Sequence, residues 1–181
     1  MLTIAVLVGS LRKESINAIY AKALQKLAAG QFEFRFVDMN LPLYNNDLWE
    51  NPPAQILALK AAIKGADGVL IVTPEYNRSV PAVTKNAVDW ASRPYGENAW
   101  AGKPVAITGA SPGSQGTAVA QSQLRSTLTI LGTHVLSDPE VYISFKPEVF
   151  AADGTVLNDG TAKFLKGFLD KFATLIETVR R

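Results

Sequence analysis

Cysteine is absent from this chain of 181 residues, and its absence excludes several kinds of chemistry. Without a thiol the protein forms no disulfide, has no thiolate nucleophile and offers no zinc–thiolate site. Any redox chemistry must therefore come from a bound cofactor. The single histidine, His134, lies far along the chain from the polar loops described below. We therefore assign it no catalytic role, although its titration range would suit one.

An excess of charge of one sign is also lacking. The chain has 16 acidic and 18 basic residues, and no run of Lys and Arg exceeds two. This dispersed pattern argues against a nucleic-acid surface. The apolar run 2–8 is too short to span a membrane and lacks the basic start of a signal peptide. We expect a soluble cytoplasmic protein with neither a nucleic-acid nor a membrane partner.

Two glycine-rich phosphate-binding motifs are missing as well. There is no G-x-G-x-x-G, so the chain lacks the turn that holds a dinucleotide pyrophosphate. There is no G-x-x-x-x-G-K-[ST] either, which argues against a nucleoside triphosphate site. If the protein binds a phosphate, the donors must come from side chains and from the start of a helix.

The sequence does contain alternating apolar strands and amphipathic helices. Strands are predicted at 2–8, 32–37, 69–73, 105–108 and within 134–143, with Asp138-Pro139 as a candidate break; helices are predicted at 16–29, 54–64, 80–92, 115–131 and 161–180. This alternation predicts an α/β fold, a five-stranded parallel sheet covered by helices on both faces. Right-handed crossovers favour the doubly wound order 2-1-3-4-5. The length suits one domain, residues 1–181.

Two stretches fall outside this pattern. Residues 38–53 form a long irregular segment with Pro42, Tyr44 and Trp49, and loops of that length are often functional. We regard this segment as a candidate lid or subunit contact. The stretch 144–160 contains turn signals at Asp153-Gly154 and Asp159-Gly160, which predict a surface excursion.

A polar loop, residues 9–17 (the first loop), follows the first predicted strand. The helix begins near Ser15, where free N–H groups and the helix dipole favour an anion. Ser10 and Ser15 add hydroxyl donors, Asn17 adds an amide and Arg12 adds a positive charge. The pattern predicts a phosphate site. Taken alone it more often means an ordinary N-cap at Ser15 and a solvated turn residue at Arg12, because Ser before a helix is common.

Two more loops are predicted at the same edge of the sheet. In the second loop, residues 73–81, Pro74 removes one backbone donor, and the amides of Glu75, Tyr76 and Asn77 follow. Such amides suit the edge of a planar ligand, although a proline-rich connection with Glu75 before a helix is the simpler alternative. The third loop, residues 109–117, is rich in Gly and Ser, which permits close backbone approach. Three such loops at one edge predict a flavin site, and a side-chain-lined phosphate loop favours FMN over FAD.

The chain resembles the NADPH-dependent FMN reductase family, and within it the chromate and quinone reductase (azoreductase-like) branch, over nearly its whole length. The resemblance is carried by Gly9-Ser10-Leu11-Arg12-Lys13-x-Ser15-x-Asn17, by Thr73-Pro74-Glu75-Tyr76-Asn77-x-Ser79-x-Pro81 and by Lys85-Asn86-Ala87-x-Asp89-Trp90-x-Ser92-Arg93-Pro94. It implies a flavodoxin-like three-layer sandwich with FMN bound noncovalently. It also implies two-electron reduction of quinones, azo dyes or chromate by NAD(P)H.

The resemblance further implies which residues bind the cofactor. The phosphate would be surrounded by Ser10, Leu11, Arg12, Ser15, Ile16 and Asn17, and the ring by Pro74, Glu75, Tyr76 and Asn77, with Ser111 and Gly113 at its other edge. The region 85–94 would form a homodimer contact, and in related members dimers pair into tetramers. The sequence departs from the family at Glu14, where a small residue is usual, and at Arg78, where an aromatic is common. The second departure bears on the tetramer contact and the substrate, but not on FMN.

The mechanism we expect is ping-pong: NADPH reduces the flavin and leaves, and a small-molecule acceptor then enters the same space. The protein supplies position and electrostatics, so no catalytic side chain is assigned. The alternative is a flavodoxin-type FMN electron carrier acting with redox proteins. Such carriers are usually strongly acidic, whereas this chain has a net charge of +2. A flavin-free receiver-type module would need acidic residues after the first strand, where this chain has Gly9-Ser10.

Overall fold

Strands and helices alternate through residues 1–180, the part of the chain that the computed structural model describes. The strands are β1 (Leu2–Val8), β2 (Phe32–Phe36), β3 (Gly68–Val72), β4 (Pro104–Ser111), β5 (His134–Val135) and β6 (Tyr142–Ser144). The helices are α1 (Ile16–Leu27), α2 (Ala54–Gly65), α3 (Ala82–Ala91), α4 (Ala118–Ile130) and α5 (Asp159–Val179), with a short 3-10 helix at Asn46–Glu50. Each predicted element is present, with ends that differ by a few residues.

The strands form one parallel sheet in the order β2-β1-β3-β4-β5, which confirms the predicted flavodoxin-like topology. The fifth position is divided between two short strands. His134 pairs with Pro104 at the start of β4, and Tyr142 pairs with Gly109 near its end. The break contains Asp138-Pro139, and proline cannot donate to a strand ladder. The predicted fifth strand is thus interrupted at the expected place.

Helices cover both faces of the sheet because its central strand is apolar on both sides. All five residues of β3 are buried, as expected for a strand inside a parallel sheet. On one face α1 and α5 pack through Tyr20, Leu24 and Phe172. On the other face α2, α3 and α4 contribute Leu59, Trp90 and Leu124. This arrangement leaves the loops after β1, β3 and β4 together at the carboxyl edge of the sheet.

The segment 38–53 is fastened to α3. Asn86 accepts a hydrogen bond from the Tyr44 amide at 2.8 Å and donates to the Pro42 carbonyl at 2.9 Å. The Trp90 indole donates to the same carbonyl at 2.8 Å, and the Trp49 ring packs edge-on against the Trp90 ring. Trp90 is 0% exposed, so it is a packing anchor. Among the described residues, none from this segment lines the cleft at the sheet edge.

The start of α4 is later than the sequence pattern indicates. The helix begins at Ala118 instead of Gln115 because the preceding residues form a turn that ends at Gly116. Gly116 has φ of 58°, a conformation that side chains disfavour. A Cβ at this position would also overlap the backbone of Tyr142 and Ile143. No helix within residues 1–180 is long and apolar enough to cross a membrane.

Candidate functional site

A cleft of about 170 Å³ opens at the carboxyl edge of the sheet, between the three loops. It is lined by Ser10, Arg12, Ser15, Ile16, Asn17, Pro74, Glu75, Tyr76, Ala110, Ser111 and Pro112. Sites that enclose a small molecule usually measure roughly 300–1,000 Å³. A ligand in this cleft would therefore keep part of its surface open to solvent.

The first loop presents donors at the start of α1. Ser15 is the N-cap and accepts a hydrogen bond from the Ala18 amide at 3.3 Å. No acidic residue lies in the first turn of α1, so the partial positive charge of the helix end is not neutralised from within the helix. Arg12 is exposed at the rim, and Ser10 is half-buried beside it. These features suit a phosphate monoester.

Asn17 joins α1 to β4. Its side chain is 2% exposed and makes two hydrogen bonds with the Ala110 backbone, donating to the carbonyl and accepting from the amide, both at 2.9 Å. The amide group has a second hydrogen that remains available to a ligand in the cleft. Asn17 therefore fixes the position of the third loop relative to the start of α1.

The side chains of the second loop point to different surroundings. Pro74 is buried under the cleft, and the Tyr76 ring, 52% exposed, forms part of its rim. The Glu75 carboxylate points toward α4, where it accepts hydrogen bonds from the amides of Val119 and Ala120 at 2.9 and 3.0 Å. Glu75 therefore connects the second loop to α4, a helix that begins more than forty residues later in the chain.

A tight turn follows at Asn77-Arg78. Both residues have positive φ, 52° and 60°, and Tyr76 and Ser79 exchange backbone hydrogen bonds at 3.2 and 3.0 Å. This is the pattern of a type I′ turn, in which Asn is favoured and Arg is strained. The Arg78 guanidinium donates to Gln115 and lies 4.0 Å from the Glu75 carboxylate. Asn77 is exposed and does not line the cleft.

The third loop completes the cleft with small residues. Ala110, Ser111 and Pro112 form its wall, and the Ser111 hydroxyl accepts from the Gly113 amide at 3.1 Å. Gly113 itself lines an adjoining cavity of about 240 Å³ that also borders Arg78. The two cavities share Glu75 and Ser111, so the Glu75 side chain is part of the wall between them.

Two glycines permit the loops to meet. A Cβ on Gly9 would overlap the Thr84 hydroxyl and press on Pro74, and a Cβ on Gly109 would overlap the Thr73 carbonyl and the Thr117 hydroxyl. Both positions therefore require glycine for close backbone approach. Each one brings the second loop against a neighbouring strand end.

The structure brings nine of the twelve predicted residues to one cleft: Ser10, Arg12, Ser15, Ile16, Asn17, Pro74, Glu75, Tyr76 and Ser111. Leu11 and Asn77 are exposed outside it, and Gly113 lines the adjoining cavity. The sequence prediction missed Ala110 and Pro112, which lie on either side of Ser111. Their place in the third loop was the available signal, but neither residue type indicates ligand binding by itself.

The buried polar groups beneath the cleft are structural. The Tyr20 hydroxyl and the Thr108 hydroxyl are hydrogen-bonded at 2.9 Å, and burial raises the pKa of Tyr20 far above its ordinary value. Tyr20 therefore stays neutral at physiological pH. Within residues 1–180 no group of three or more His, Asp or Glu side chains is arranged to hold a metal ion.

Comparisons with known proteins agree with this geometry. The family model for NADPH-dependent FMN reductase matches residues 2–148. The chain is 48% identical over 180 residues to a 2-hydroxy-1,4-benzoquinone reductase from a Burkholderia species, covering 99% of this chain and 98% of that protein. It is 44% identical over 180 residues to a quinone reductase from Pseudomonas putida, with 98% and 96% covered. The solved structure of FerB, a flavoenzyme NAD(P)H:(acceptor) oxidoreductase from Paracoccus denitrificans, matches with a TM-score of 0.95 and 52% identity over 98% of each chain.

Proposed function

Because the chain belongs to the NADPH-dependent FMN reductase family, we propose that it is an FMN-dependent NAD(P)H quinone reductase. Membership of this family makes it an oxidoreductase with FMN as cofactor and NAD(P)H as co-substrate. The quinone acceptor is inferred from two relatives that are named for it. The observation that supports the proposal most directly is the cleft where the three loops meet at the start of α1.

The first loop has what the FMN phosphate needs. The phosphate would lie at the start of α1, where backbone N–H groups and the Ser15 and Ser10 hydroxyls are available. Arg12 would add a charge-assisted hydrogen bond from the rim. Asn17 would hold the site together through Ala110 and donate its second amide hydrogen.

The second and third loops suit the flavin ring. Pro74 and Tyr76 would border the ring on one side, and the stretch from Ala110 to Pro112 on the other. Because the Tyr76 amide is bonded to the Ser79 carbonyl, the amides of Glu75 and Asn77 would be the ones that face one ring edge. The Glu75 side chain would support them from behind. When bound, FMN takes a hydride from NAD(P)H and passes two electrons to an acceptor.

The shallow cleft favours a ping-pong order of binding. A site that leaves one face of its cofactor open gives NAD(P)H and a flat acceptor the same space in turn, and Tyr76 at the rim offers an aromatic surface to both. We assign no acid–base residue, because the chain's part is to bind, orient and partly desolvate. Azo dyes and chromate are included as further acceptors on the family resemblance.

We also propose that the enzyme is a cytoplasmic homodimer or homotetramer that uses the region 85–94. This region is most of α3 and the residues that follow it. Its outward face includes Lys85, Asp89 and Arg93, and Lys85 and Asp89 form an ion pair at 2.7 Å. Its inward face is anchored by the buried Trp90, so the surface is rigid. Sedimentation that gives a monomer with full FMN occupancy would contradict this assembly.

The test of the proposed function is a visible spectrum. The purified protein is mixed with FMN, freed of the excess and recorded before and after anaerobic NADPH, and then after addition of a benzoquinone. We expect a retained flavin band that NADPH bleaches and the quinone restores. A retained band that NADPH leaves unchanged would instead indicate an electron carrier that needs a separate reductase, and no retained band would refute both functions.

A further inference from the structure

Glu75 forms a contact that the FMN site does not by itself explain. The first amides of an α-helix have no partner within the helix, and at the start of α4 the N-cap residue, Thr117, makes no capping hydrogen bond with its side chain. One oxygen of the Glu75 carboxylate accepts from both Val119 and Ala120 instead. The Glu75 side chain is only 10% exposed. The second loop therefore caps a helix that is distant in sequence.

From this geometry we propose that Glu75 is a positioning residue, which holds the second-loop backbone in place for FMN by capping α4. The inference rests on the proposed FMN site. The carboxylate itself points at α4, so its effect on the cofactor is exerted through the backbone of residues 75–77. The carboxylate oxygen that bonds α4 accepts from two helix amides, so that oxygen serves the helix and not the ligand.

A second attachment to α4 lies at the far end of the same loop. The Gln123 side chain accepts from the Ser79 hydroxyl at 2.8 Å and donates to the Arg78 carbonyl at 3.2 Å. The strained turn at Asn77-Arg78 thus lies between two attachments to one helix. Strained backbone persists where its surroundings hold it, and here Glu75 provides the buried, charged attachment.

The same contact also decides which helix end can receive the phosphate. A carboxylate at a helix N-terminus neutralises the partial positive charge there. At α4 that position is taken by Glu75, whereas the first turn of α1 contains no acidic residue. Of these two helix ends near the cleft, α1 is therefore the one that remains suited to an anion.

The experiment compares Glu75→Ala and Glu75→Gln with Glu177→Ala, a control that removes an exposed glutamate on α5. FMN dissociation constants are measured by flavin fluorescence quenching, and amide hydrogen exchange is followed on the full chain with and without FMN. We expect Glu75→Ala to raise the dissociation constant about tenfold, because it removes a buried charged acceptor. Exchange should accelerate at residues 75–80 and 118–120 and remain unchanged in α2 and α5.

Glu75→Gln should restore most of the affinity, to within about threefold of the native protein, since its amide oxygen still accepts from the helix amides. Three results would overturn the proposal: an unchanged dissociation constant in Glu75→Ala, an equal loss in Glu75→Gln, or accelerated exchange throughout the chain. If the native protein binds no FMN, the proposed function fails. The exchange data then still decide whether Glu75 holds the loop.

Discussion

The first and second loops reach the same cleft with similarly polar sequences, but they use their side chains differently. In the first loop Ser10 and Arg12 lie at the cleft and Arg12 extends to solvent. In the second loop the Glu75 and Arg78 side chains bind α4 and the third loop. Polar side chains in a strand-end loop can therefore bind a ligand themselves or hold the backbone that binds it.

The difference has a physical cause in how each loop is supported. The first loop leads directly into α1, whose N-cap Ser15 organises it locally. The second loop contains Pro74, which lacks an N–H, and two residues at positive φ. Its local backbone hydrogen bonds close only the turn between Tyr76 and Ser79, and the side chains of Glu75 and Ser79 connect the loop to α4 on either side of that turn.

Gly109→Ala should have the largest effect, because it removes the close approach of β4 to the second loop. The added Cβ would overlap the Thr73 carbonyl, which is backbone and cannot move aside freely. We expect the free energy of unfolding to fall by about 3 kcal/mol, measured by urea denaturation. The matched control is Gly113→Ala, where a Cβ would meet only the Ser111 hydroxyl at 3.6 Å. Equal stability of the two variants would show that the approach is not required.

Asn17→Ala tests the first-loop side chain that connects α1 to β4. The change leaves the buried Ala110 amide and carbonyl without their partner. We expect a loss of about 2 kcal/mol of unfolding free energy together with weaker FMN binding. Asn51→Ala, at an exposed position, is the control. If Asn17→Ala were as stable as the control, the first loop would be independent of β4.

Arg12→Ala and Arg78→Ala form a matched pair, with one arginine removed from each loop. Arg12 is placed to bind the phosphate, so its loss should raise the FMN dissociation constant about tenfold. Riboflavin, which has no phosphate, should bind the native protein and Arg12→Ala with equal affinity. Arg78→Ala should change FMN binding by no more than about threefold, because Glu75 and Gln123 still hold the loop. A larger FMN dissociation constant for Arg78→Ala than for Arg12→Ala in fluorescence titrations would mean that the second loop, and not the first, binds the phosphate.

Arg78→Gly should have the smallest effect and the opposite sign. Arg78 has φ of 60°, and glycine relieves a conformational strain of about 1 kcal/mol, partly offset by its greater freedom in the unfolded chain. We expect the free energy of unfolding of Arg78→Gly to be roughly 0.5 kcal/mol higher than that of Arg78→Ala. The thermal midpoint of Arg78→Gly should be correspondingly higher. A lower midpoint for Arg78→Gly would mean that the turn is not strained.

The sequence predicted the site well where the determinants are local. Ser15 could be assigned as an N-cap from the residues around it, and it is one. Pro74 and Ser111, which the family resemblance assigned to the site, both line the cleft. Leu11, Asn77 and Gly113, which the resemblance also assigned to the site, lie outside the cleft. The turn at Asn77 depends on contacts with Gln123 of α4, and the cavity beside Gly113 is bordered by Arg78.

The order of the strands and the meeting of three loops at one edge follow from patterns within the sequence, since hydrophobic period and helix capping act over a few residues. Only the tertiary structure decided which polar side chains face the cleft and which hold it. Glu75 and Ala120 are 45 residues apart, and their hydrogen bond exists because the sheet places α4 behind the second loop. Pairing between distant groups is a property of the packed fold, which a local pattern cannot specify.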